Sequence, residues 1–267
     1  MPHNHEQENT ITKMTSADSK SFTIDLWLLP YTHGDTTFNT KNNLAALSQD
    51  ELERFHRSSN KRQREFLLSR LLLRFIMQHY ISSTPFNLEV KERTNLPPYI
   101  PTAQAHGIHF NISHSHELIG IASTQTRKHN YQLGFDLEYI KPIKDFVKNS
   151  FFCNKQQQLK LEQTTDPIEK TALYYRYWTQ KEACLKARQT GIGDHALKQI
   201  DFQPVNTGVI KQLSSTRYQP TRSHDQYQLA VYSTFDYQIK TQLLTINDGQ
   251  FAAKPLPLPW QDFYLAS

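Results

Sequence analysis

Helical and strand-like patterns occur together in this 267-residue sequence, and they predict a mixed fold of helices and strands. Apolar residues recur at helical spacing through residues 51–80, and they dominate residues 131–140 over the length of a strand. A second helix is predicted around Trp178, because no proline or glycine interrupts the chain from there to Gly191. A chain of this length can form one large domain or two small ones.

The N-terminal segment differs in composition from the rest of the chain. Residues 1–21 are rich in polar side chains and nearly free of apolar ones, so we expect a disordered polar tail. Neither this tail nor residues 24–29 resembles the apolar core of a signal peptide, and no apolar run approaches the length of a membrane span. The two cysteines, Cys153 and Cys184, do not suggest a disulfide scaffold, and we expect a cytoplasmic protein.

The first predicted helix combines an apolar face with a dense basic cluster. The apolar positions include Leu68, Leu72 and Ile76. Five basic residues crowd into eleven positions around its start: Arg54, Arg57, Lys61, Arg62 and Arg64. Such a cluster is either a solvated charged face or a site for a phosphate group, which arginine forks and lysine ammonium groups bind well.

The segment FNISHS occupies residues 110–115 and contains Ser113 and His114. Taken alone, this segment gives His114 no special role, because a hydrogen-bonded histidine at the end of a strand would explain it. Neighbouring histidines also leave open a non-enzymatic metal-binding module. Those histidines are His106, His109, His114 and His116, although their spacings do not match common zinc sites.

The predicted strand carries two acids at alternate positions, Asp136 and Glu138. Side chains at i and i+2 of a strand leave the same face, so these carboxylates are expected to lie close together and to repel each other. A divalent cation relieves such repulsion, and hard oxygen ligands suit Mg²⁺. A solvated sheet edge carrying two unrelated acids is the alternative.

The second predicted helix contains the segment WTQKEACLK at residues 178–186. Glu182 and Lys186 are one turn apart on one face, and a simple surface ion pair would explain them. Cys184 lies between them and is expected to be a packed, unreactive thiol.

Together, the segments FNISHS, GFDLE (residues 134–138) and WTQKEACLK resemble the signature of the Sfp-type 4'-phosphopantetheinyl transferases in order, spacing and residue type. The resemblance covers roughly residues 22–210. It implies an α+β fold of two similar halves packed as a pseudo-dimer within one chain, with the active site in the cleft between them. We place these halves at 22–128 and 129–252, followed by a proline-rich tail at 253–267.

The resemblance also implies an activity. Family members transfer the 4'-phosphopantetheine group of coenzyme A to a serine of an apo acyl or peptidyl carrier protein, in a reaction that depends on Mg²⁺, for which Mn²⁺ is a possible substitute, and releases 3',5'-ADP. By position, Asp136, Glu138 and Glu182 match the family's metal ligands. Ser113 and His114 match contacts to the phosphates of coenzyme A, Lys186 matches the lysine beside the diphosphate, and Lys181 matches a neighbouring basic position.

Catalytic roles are expected for Glu182, which would take the serine proton, and for Lys186 and His114, which would add positive charge beside the phosphates. For the nucleotide phosphate, Arg64 is the best match, followed by Arg57 and Arg62. The loop at residues 95–98 departs from the family, which often carries Gly-Lys-Pro there, so a phosphate contact at this loop is in doubt unless Lys91 or Arg93 supplies it.

The formal net charge is +5 and the isoelectric point is about 9.0. This charge suits an acidic carrier protein and a ligand with several phosphates. No nucleic-acid-binding motif accompanies it, and we expect a monomer without a nucleic-acid partner or a membrane. A metal-dependent phosphohydrolase or nuclease using the same carboxylates is the alternative function.

Overall fold

The computed structural model describes residues 22–32, 43–82, 88–93, 96–189, 194–204, 213–220, 225–247 and 250–265. The expected tail at 1–21 lies outside these residues, as does Gly191, before which the second helix was predicted to end. The strands are β1 (Phe22–Pro30), β2 (Lys91–Arg93), β3 (Leu96–Tyr99), β4 (Ile108–Ser115), β5 (Leu118–Gln125), β6 (Leu133–Tyr139), β7 (Phe202–Pro204), β8 (Leu213–Tyr218), β9 (Tyr227–Ser233), β10 (Tyr237–Asn247), β11 (Gln250–Pro255) and β12 (Gln261–Leu265).

The helices of the described residues begin with a single 3₁₀ turn at Leu44–Ala46. The α-helices are α1 (Gln49–Arg57), α2 (Asn60–Met77), α3 (Pro101–Ala105), α4 (Phe146–Asn149), α5 (Lys155–Gln163), α6 (Pro167–Arg188) and α7 (Asp194–Gln199). The single helix predicted across residues 51–80 is therefore two helices, because the chain is extended at Ser58 and Ser59.

Local sequence signals explain where these helices begin and end. At the start of α1, Ser48 and Glu51 form a capping box in which each side chain accepts a hydrogen bond from the other residue's backbone N–H. Asp166 caps α6, and Pro167 occupies its first turn, where a missing N–H costs nothing. Helix α6 ends at Gln189, whose backbone is left-handed at φ 53°.

Two five-stranded sheets form the framework. The first has the strand order β11-β10-β1-β5-β4 and the second has the order β6-β9-β8-β12-β7. Each half of the chain runs from a strand through a long helix to an antiparallel pair, as β1-α2-β4-β5 and then as β6-α6-β8-β9. The expected α+β fold of two similar halves is confirmed.

The C-terminal boundaries predicted from sequence are wrong. Strand β10 pairs in parallel with β1, and β11 pairs with β10, so both belong to the first sheet rather than to the second half. The segment expected to be a tail includes the end of β11 and all of β12, which pairs with β7 and β8 of the second sheet. Strand periodicity indicates that a segment is a strand but not which strand it joins. The junction predicted near residue 128 does fall between β5 and β6.

Both cysteines, Cys153 and Cys184, are buried free thiols, and burial raises the pKa of each thiol to about 11. Within the described residues, none of the helices has the length and apolar character needed to cross a bilayer.

Candidate active site

The two sheets meet edge to edge where β4 lies beside β6. Side-chain oxygens of Asn111, Ser113 and Ser115 accept hydrogen bonds from alternate backbone N–H groups of β6. The donors are Phe135, Leu137 and Tyr139, at 3.3, 3.3 and 3.1 Å. This seam sets the position of the two predicted acids of β6 relative to the first sheet.

Gly134 allows helix α6 to lie directly against β6. A Cβ atom at this position would collide with the backbone of Ala183 and Ala187. The close approach brings Glu182 and Lys186 of the helix beside Asp136 of the strand. The glycine of the GFDLE segment thus has a steric role: it lets the helix that carries Glu182 and Lys186 approach the strand that carries Asp136.

Asp136, Ser113 and Lys186 form a compact polar cluster at this junction. Lys186 Nζ lies 2.6 Å from Asp136 Oδ1 and 2.9 Å from Ser113 Oγ. Ser113 Oγ also donates to Asp136 Oδ1 at 2.9 Å. Asp136 is 3% exposed, whereas the Lys186 side chain keeps 29% of its surface accessible, so the ammonium group can reach a ligand.

Glu138 follows on the same face of β6 and is held at both carboxylate oxygens. Ser115 Oγ donates to Oε2 and Trp178 Nε1 donates to Oε1, each at 3.0 Å. Burial and the nearby charge of Asp136 raise the pKa of Glu138, and these two donors oppose the shift.

Glu182 completes the acidic group from the helix side. Burial raises its pKa to about 7, the charge of Asp136 adds to the shift, and Lys186 opposes it. Two buried carboxylate oxygens, Glu182 Oε1 and Asp136 Oδ2, accept no hydrogen bond from any residue that the structure describes. Unsatisfied buried anionic oxygens are costly, and a cation would satisfy them.

In the part of the chain that the structure describes, no three His, Cys, Asp or Glu side chains are already arranged as a complete metal-binding group. Lys186 provides the positive charge that lies against Asp136. The two unsatisfied oxygens, of Asp136 and Glu182, and the hard-oxygen chemistry of all three carboxylates fit a cation such as Mg²⁺.

A basic cavity of about 460 Å³ adjoins this group on the side of α1, α2 and β4. Arg54, Arg62, Arg70 and His114 line it, and Lys186 stands where it meets the carboxylates. His114 Nδ1 lies 3.2 Å from Glu65 Oε1, and the His114 side chain is half exposed. A set of cations around one cavity suits a ligand with several phosphates.

The arginines predicted to bind phosphate are only partly supported by their positions. Arg62 lines the cavity, whereas Arg57 and Arg64 do not. The Arg57 side chain is 77% exposed and binds Glu53 within its own helix. Arg54 belongs to the predicted basic cluster but was not among the three best matches, and Arg70 lies outside that cluster. The guanidinium groups of both arginines lie over the ring of Phe66.

Lys181 does not have the phosphate-binding position expected of it. The side chain is only 1% exposed, and its ammonium group donates to the backbone carbonyls of Phe152 at 3.0 Å and Leu197 at 2.7 Å. Burial lowers its pKa to about 8. Helix α6 turns this lysine into the core of the second half, away from Lys186, so we assign it a structural role.

The four histidines of the alternative metal module have separate partners. His106 contacts the carbonyl of Thr102 and His109 that of Thr126, His114 lies by Glu65, and His116 stacks on Tyr139. They do not form a common site.

Comparison with known proteins decides which family has this arrangement. A family model described as "4'-phosphopantetheinyl transferase superfamily" matches residues 132–240, and one described as "4'-phosphopantetheinyl transferase, N-terminal" matches residues 36–126. The chain is 33% identical over 183 residues to the 4'-phosphopantetheinyl transferase HetI of Nostoc sp., which covers 67% of this chain and 73% of the relative. The chain belongs to the 4'-phosphopantetheinyl transferase superfamily.

Two further relatives place this phosphopantetheinyl transferase among the Sfp-type members. The 4'-phosphopantetheinyl transferase Sfp of Bacillus subtilis is 26% identical over 159 residues, covering 55% of this chain and 67% of the relative. A putative 4'-phosphopantetheinyl transferase of Synechocystis sp. is 28% identical over 153 residues, covering 55% and 59%. The match at 36–126 includes Ser113 and His114, and the match at 132–240 includes the three carboxylates and Lys186.

Proposed function

We propose that this protein transfers the 4'-phosphopantetheine group of coenzyme A to a serine of an apo acyl or peptidyl carrier protein and releases 3',5'-ADP. The observation that supports it most is the position of Lys186. Its ammonium group lies between the buried carboxylates of Asp136 and Glu182 and a cavity lined by arginines. A diphosphate at this junction would have acidic groups for a cation on one side and fixed positive charge on the other.

Asp136, Glu138 and Glu182 would hold Mg²⁺, or Mn²⁺ in its place. When bound, the cation neutralises charge on the diphosphate oxygens. Support comes from the unsatisfied oxygens of Asp136 and Glu182 and from the fixed orientation of Glu138.

The nucleotide end of coenzyme A would occupy the cavity of about 460 Å³. Arg54 and Arg62 are placed to neutralise its phosphates, and Arg70, which is paired with buried Glu51, and His114 border the same space. Lys186 would bind the oxygens of the diphosphate, and Ser113 supports Lys186 and Asp136 through its hydroxyl. These contacts orient the substrate, which is the main requirement of phosphoryl transfer.

In the reaction, the carrier serine oxygen attacks the phosphorus on the pantetheine side. One P–O bond forms to the serine, and the P–O bond to 3',5'-ADP breaks. Glu182 takes the serine proton, directly or through a water molecule. Lys186 and His114 stabilise the negative charge that develops on the 5'-phosphate of the leaving 3',5'-ADP.

The carrier would approach past Glu138, on the side away from the arginines. A groove of about 250 Å³ lies there and is lined by Glu138, Lys141, Lys144 and Trp178. Its exposed lysines suit an acidic carrier, and one chain supplies both walls of the cleft, so a monomer suffices. Nucleic acid has no part in this reaction, and the free thiols of Cys153 and Cys184 suit a reducing cytoplasm.

The test is intact-mass spectrometry of several apo carrier proteins after incubation with the full chain, coenzyme A and Mg²⁺. We expect one carrier to gain the mass of phosphopantetheine and 3',5'-ADP to appear in equal amount. EDTA, or a carrier whose acceptor serine is replaced by alanine, should abolish both. Cleavage of coenzyme A without a mass gain on any carrier would instead indicate the phosphohydrolase alternative.

A further inference from the structure

The seam between the sheets is built from a two-residue unit that occurs twice. Ser113 Oγ accepts from Leu137 N–H and donates to the carboxylate of Asp136, the residue before it. Ser115 Oγ accepts from Tyr139 N–H and donates to the carboxylate of Glu138 in the same way. Each hydroxyl therefore joins a backbone N–H of β6 to the acid that precedes it.

The geometry of a hydroxyl group explains why this unit orients a carboxylate. A serine oxygen has one proton to donate and lone pairs that accept. The N–H of β6 occupies a lone pair, so the proton is directed elsewhere, and the carboxylate lies 3.0 Å from Ser115 Oγ and 2.9 Å from Ser113 Oγ. β4 and β6 are edge strands of separate sheets and do not pair with each other in the part of the chain that the structure describes, so side-chain oxygens satisfy these N–H groups instead.

The two serines differ in what else they contact. Ser113 also binds Lys186 and lies within the predicted set of phosphate-binding residues. Ser115 serves Glu138, whose other oxygen is held by Trp178 Nε1. Glu138 is thus fixed at both ends by donors from two different elements, and each carboxylate oxygen keeps acceptor capacity for a cation.

We propose that Ser115 is a positioning residue that holds Glu138, through its hydroxyl, in the orientation needed to bind the divalent cation. The inference rests on the proposed metal role of Glu138. Residues that hydrogen-bond to a metal ligand without binding the metal themselves typically contribute about 10- to 100-fold to metal affinity. Ser115 should accordingly act on metal binding, with little effect on the nucleotide cavity.

The decisive comparison is Ser115→Thr against Ser115→Val, because threonine and valine have nearly the same shape and differ in the hydroxyl group. Mn²⁺ binding to each full-length variant is titrated by electron paramagnetic resonance, which detects the free ion. We expect Ser115→Val to weaken Mn²⁺ binding by about 10-fold and Ser115→Thr to stay within about threefold of the unmodified protein. At saturating metal the KM for coenzyme A should be unchanged in both.

The control is Ser214→Ala, which removes another strand serine that donates to an aspartate, Asp262, far from the cleft. It should leave Mn²⁺ affinity unchanged. Equal Mn²⁺ affinity in the folded threonine and valine variants would overturn the inference. If Ser115→Val does not fold, Ser115→Ala removes the same hydroxyl group without adding a methyl group, and unchanged Mn²⁺ affinity in that variant would overturn the inference equally.

The outcome for the unmodified protein separates this inference from the proposed function. An unmodified protein that neither binds Mn²⁺ nor modifies any carrier contradicts the proposed function. One that does both, while valine and threonine at position 115 behave alike, contradicts only the role of Ser115.

Discussion

Glu182 is a carboxyl group whose surroundings favour the protonated form. Burial accounts for most of the rise in its pKa to about 7, and Asp136 contributes a like charge that Lys186 only partly offsets. A glutamate in an unfolded chain ionises near pH 4.3. Between these two pH values, the native protein keeps a proton that the unfolded chain has lost, so stability depends on pH.

The sign of this dependence gives a prediction for Glu182→Gln. Because the pKa of Glu182 is raised in the native state, the unmodified protein loses stability as pH rises from about 4.5 to about 7. The Glu182→Gln variant lacks this loss, because glutamine does not ionise. In EDTA, the variant should match the unmodified protein near pH 4.5 and exceed its free energy of unfolding by about 1–3 kcal/mol at pH 8. Urea unfolding at the two pH values measures the difference.

Glu162→Gln is the matched control, because Glu162 is exposed on α5 and should give no such pH-dependent gain. Equal stabilities of the Glu182→Gln variant and the unmodified protein at both pH values would contradict the raised pKa. The Glu182→Gln variant should also fail to modify carrier proteins while still binding coenzyme A.

Lys181 and Lys186 offer a second comparison at the level of single residues. Lys181→Met removes the donor to two buried carbonyls and should cost about 1–3 kcal/mol of stability. Its coenzyme A affinity should change by less than about twofold, since no phosphate contact is lost. Lys186→Met should instead weaken coenzyme A binding by about 10- to 100-fold, the effect of losing a charged hydrogen bond. Calorimetric titration with coenzyme A distinguishes the two lysines. A 10-fold or larger loss of coenzyme A affinity in Lys181→Met would show that Lys181 contacts a phosphate after all.

Among the secondary-structure elements, the packing of β6 against α6 determines whether the site exists. Gly134 lies against the helix backbone, whereas Gly120 of β5 lies against the side chains of Phe135 and Leu137. Backbone atoms cannot rotate away from an added methyl group, but the ends of side chains can shift. The same substitution should therefore have different costs at the two glycines.

We expect Gly134→Ala to destabilise the protein more than Gly120→Ala, with the former at or above about 3 kcal/mol, the upper part of the range for overpacking. Displacement of α6 from β6 would also separate Glu182 and Lys186 from Asp136. The rate of carrier modification by Gly134→Ala should therefore fall by more than the loss of folded protein accounts for. Urea unfolding and initial rates of modification measure both effects. A Gly134→Ala variant as stable and active as Gly120→Ala would contradict this account of the motif glycine.

The elements show how far sequence reasoning reached. The strand predicted at 131–140 contains β6. Spacing alone paired Asp136 with Glu138, whereas Glu182 was added to them by the resemblance to the family. The orientation of Lys181 was not predictable, because every residue from Thr179 to Leu185 is buried and the sequence does not indicate which side of α6 faces the ligand.

Arg70 was missed because its position depends on packing between helices. Buried Glu51 of α1 binds both Arg70 and Arg74 of α2, with 3.3 Å between Glu51 Oε1 and Arg70 Nε. This ion pair fixes α1 against α2 and so sets the outline of the basic cavity. A run of charged residues in a sequence does not reveal such a pairing. From spacing alone, Arg57 and Arg64 were as plausible as Arg70 for lining a phosphate site.

For the whole molecule, the net charge of +5 and the arginine-lined cavity predict binding that stabilises the native state. Coenzyme A with Mg²⁺ at about 100 times its dissociation constant should add about 2.7 kcal/mol, or several degrees in melting temperature. Raising the ionic strength should reduce the shift, because exposed phosphate contacts are screened. Thermal scans with and without coenzyme A measure it, and a shift with Mg²⁺ alone as large as that with both ligands would contradict a nucleotide site.

The parallel pairing of β1 with β10 means that the first sheet contains both an early and a late part of the chain. During synthesis, residues 22–30 leave the ribosome long before residues 237–247 are made, so β1 cannot pair with β10 until more than 200 further residues have been translated. The N-terminal sheet therefore cannot be completed as a unit while the rest is still being translated, unlike a domain formed from consecutive residues. Termination of translation before residue 237 would leave one edge of β1 unpaired, and such truncated products should be aggregation-prone.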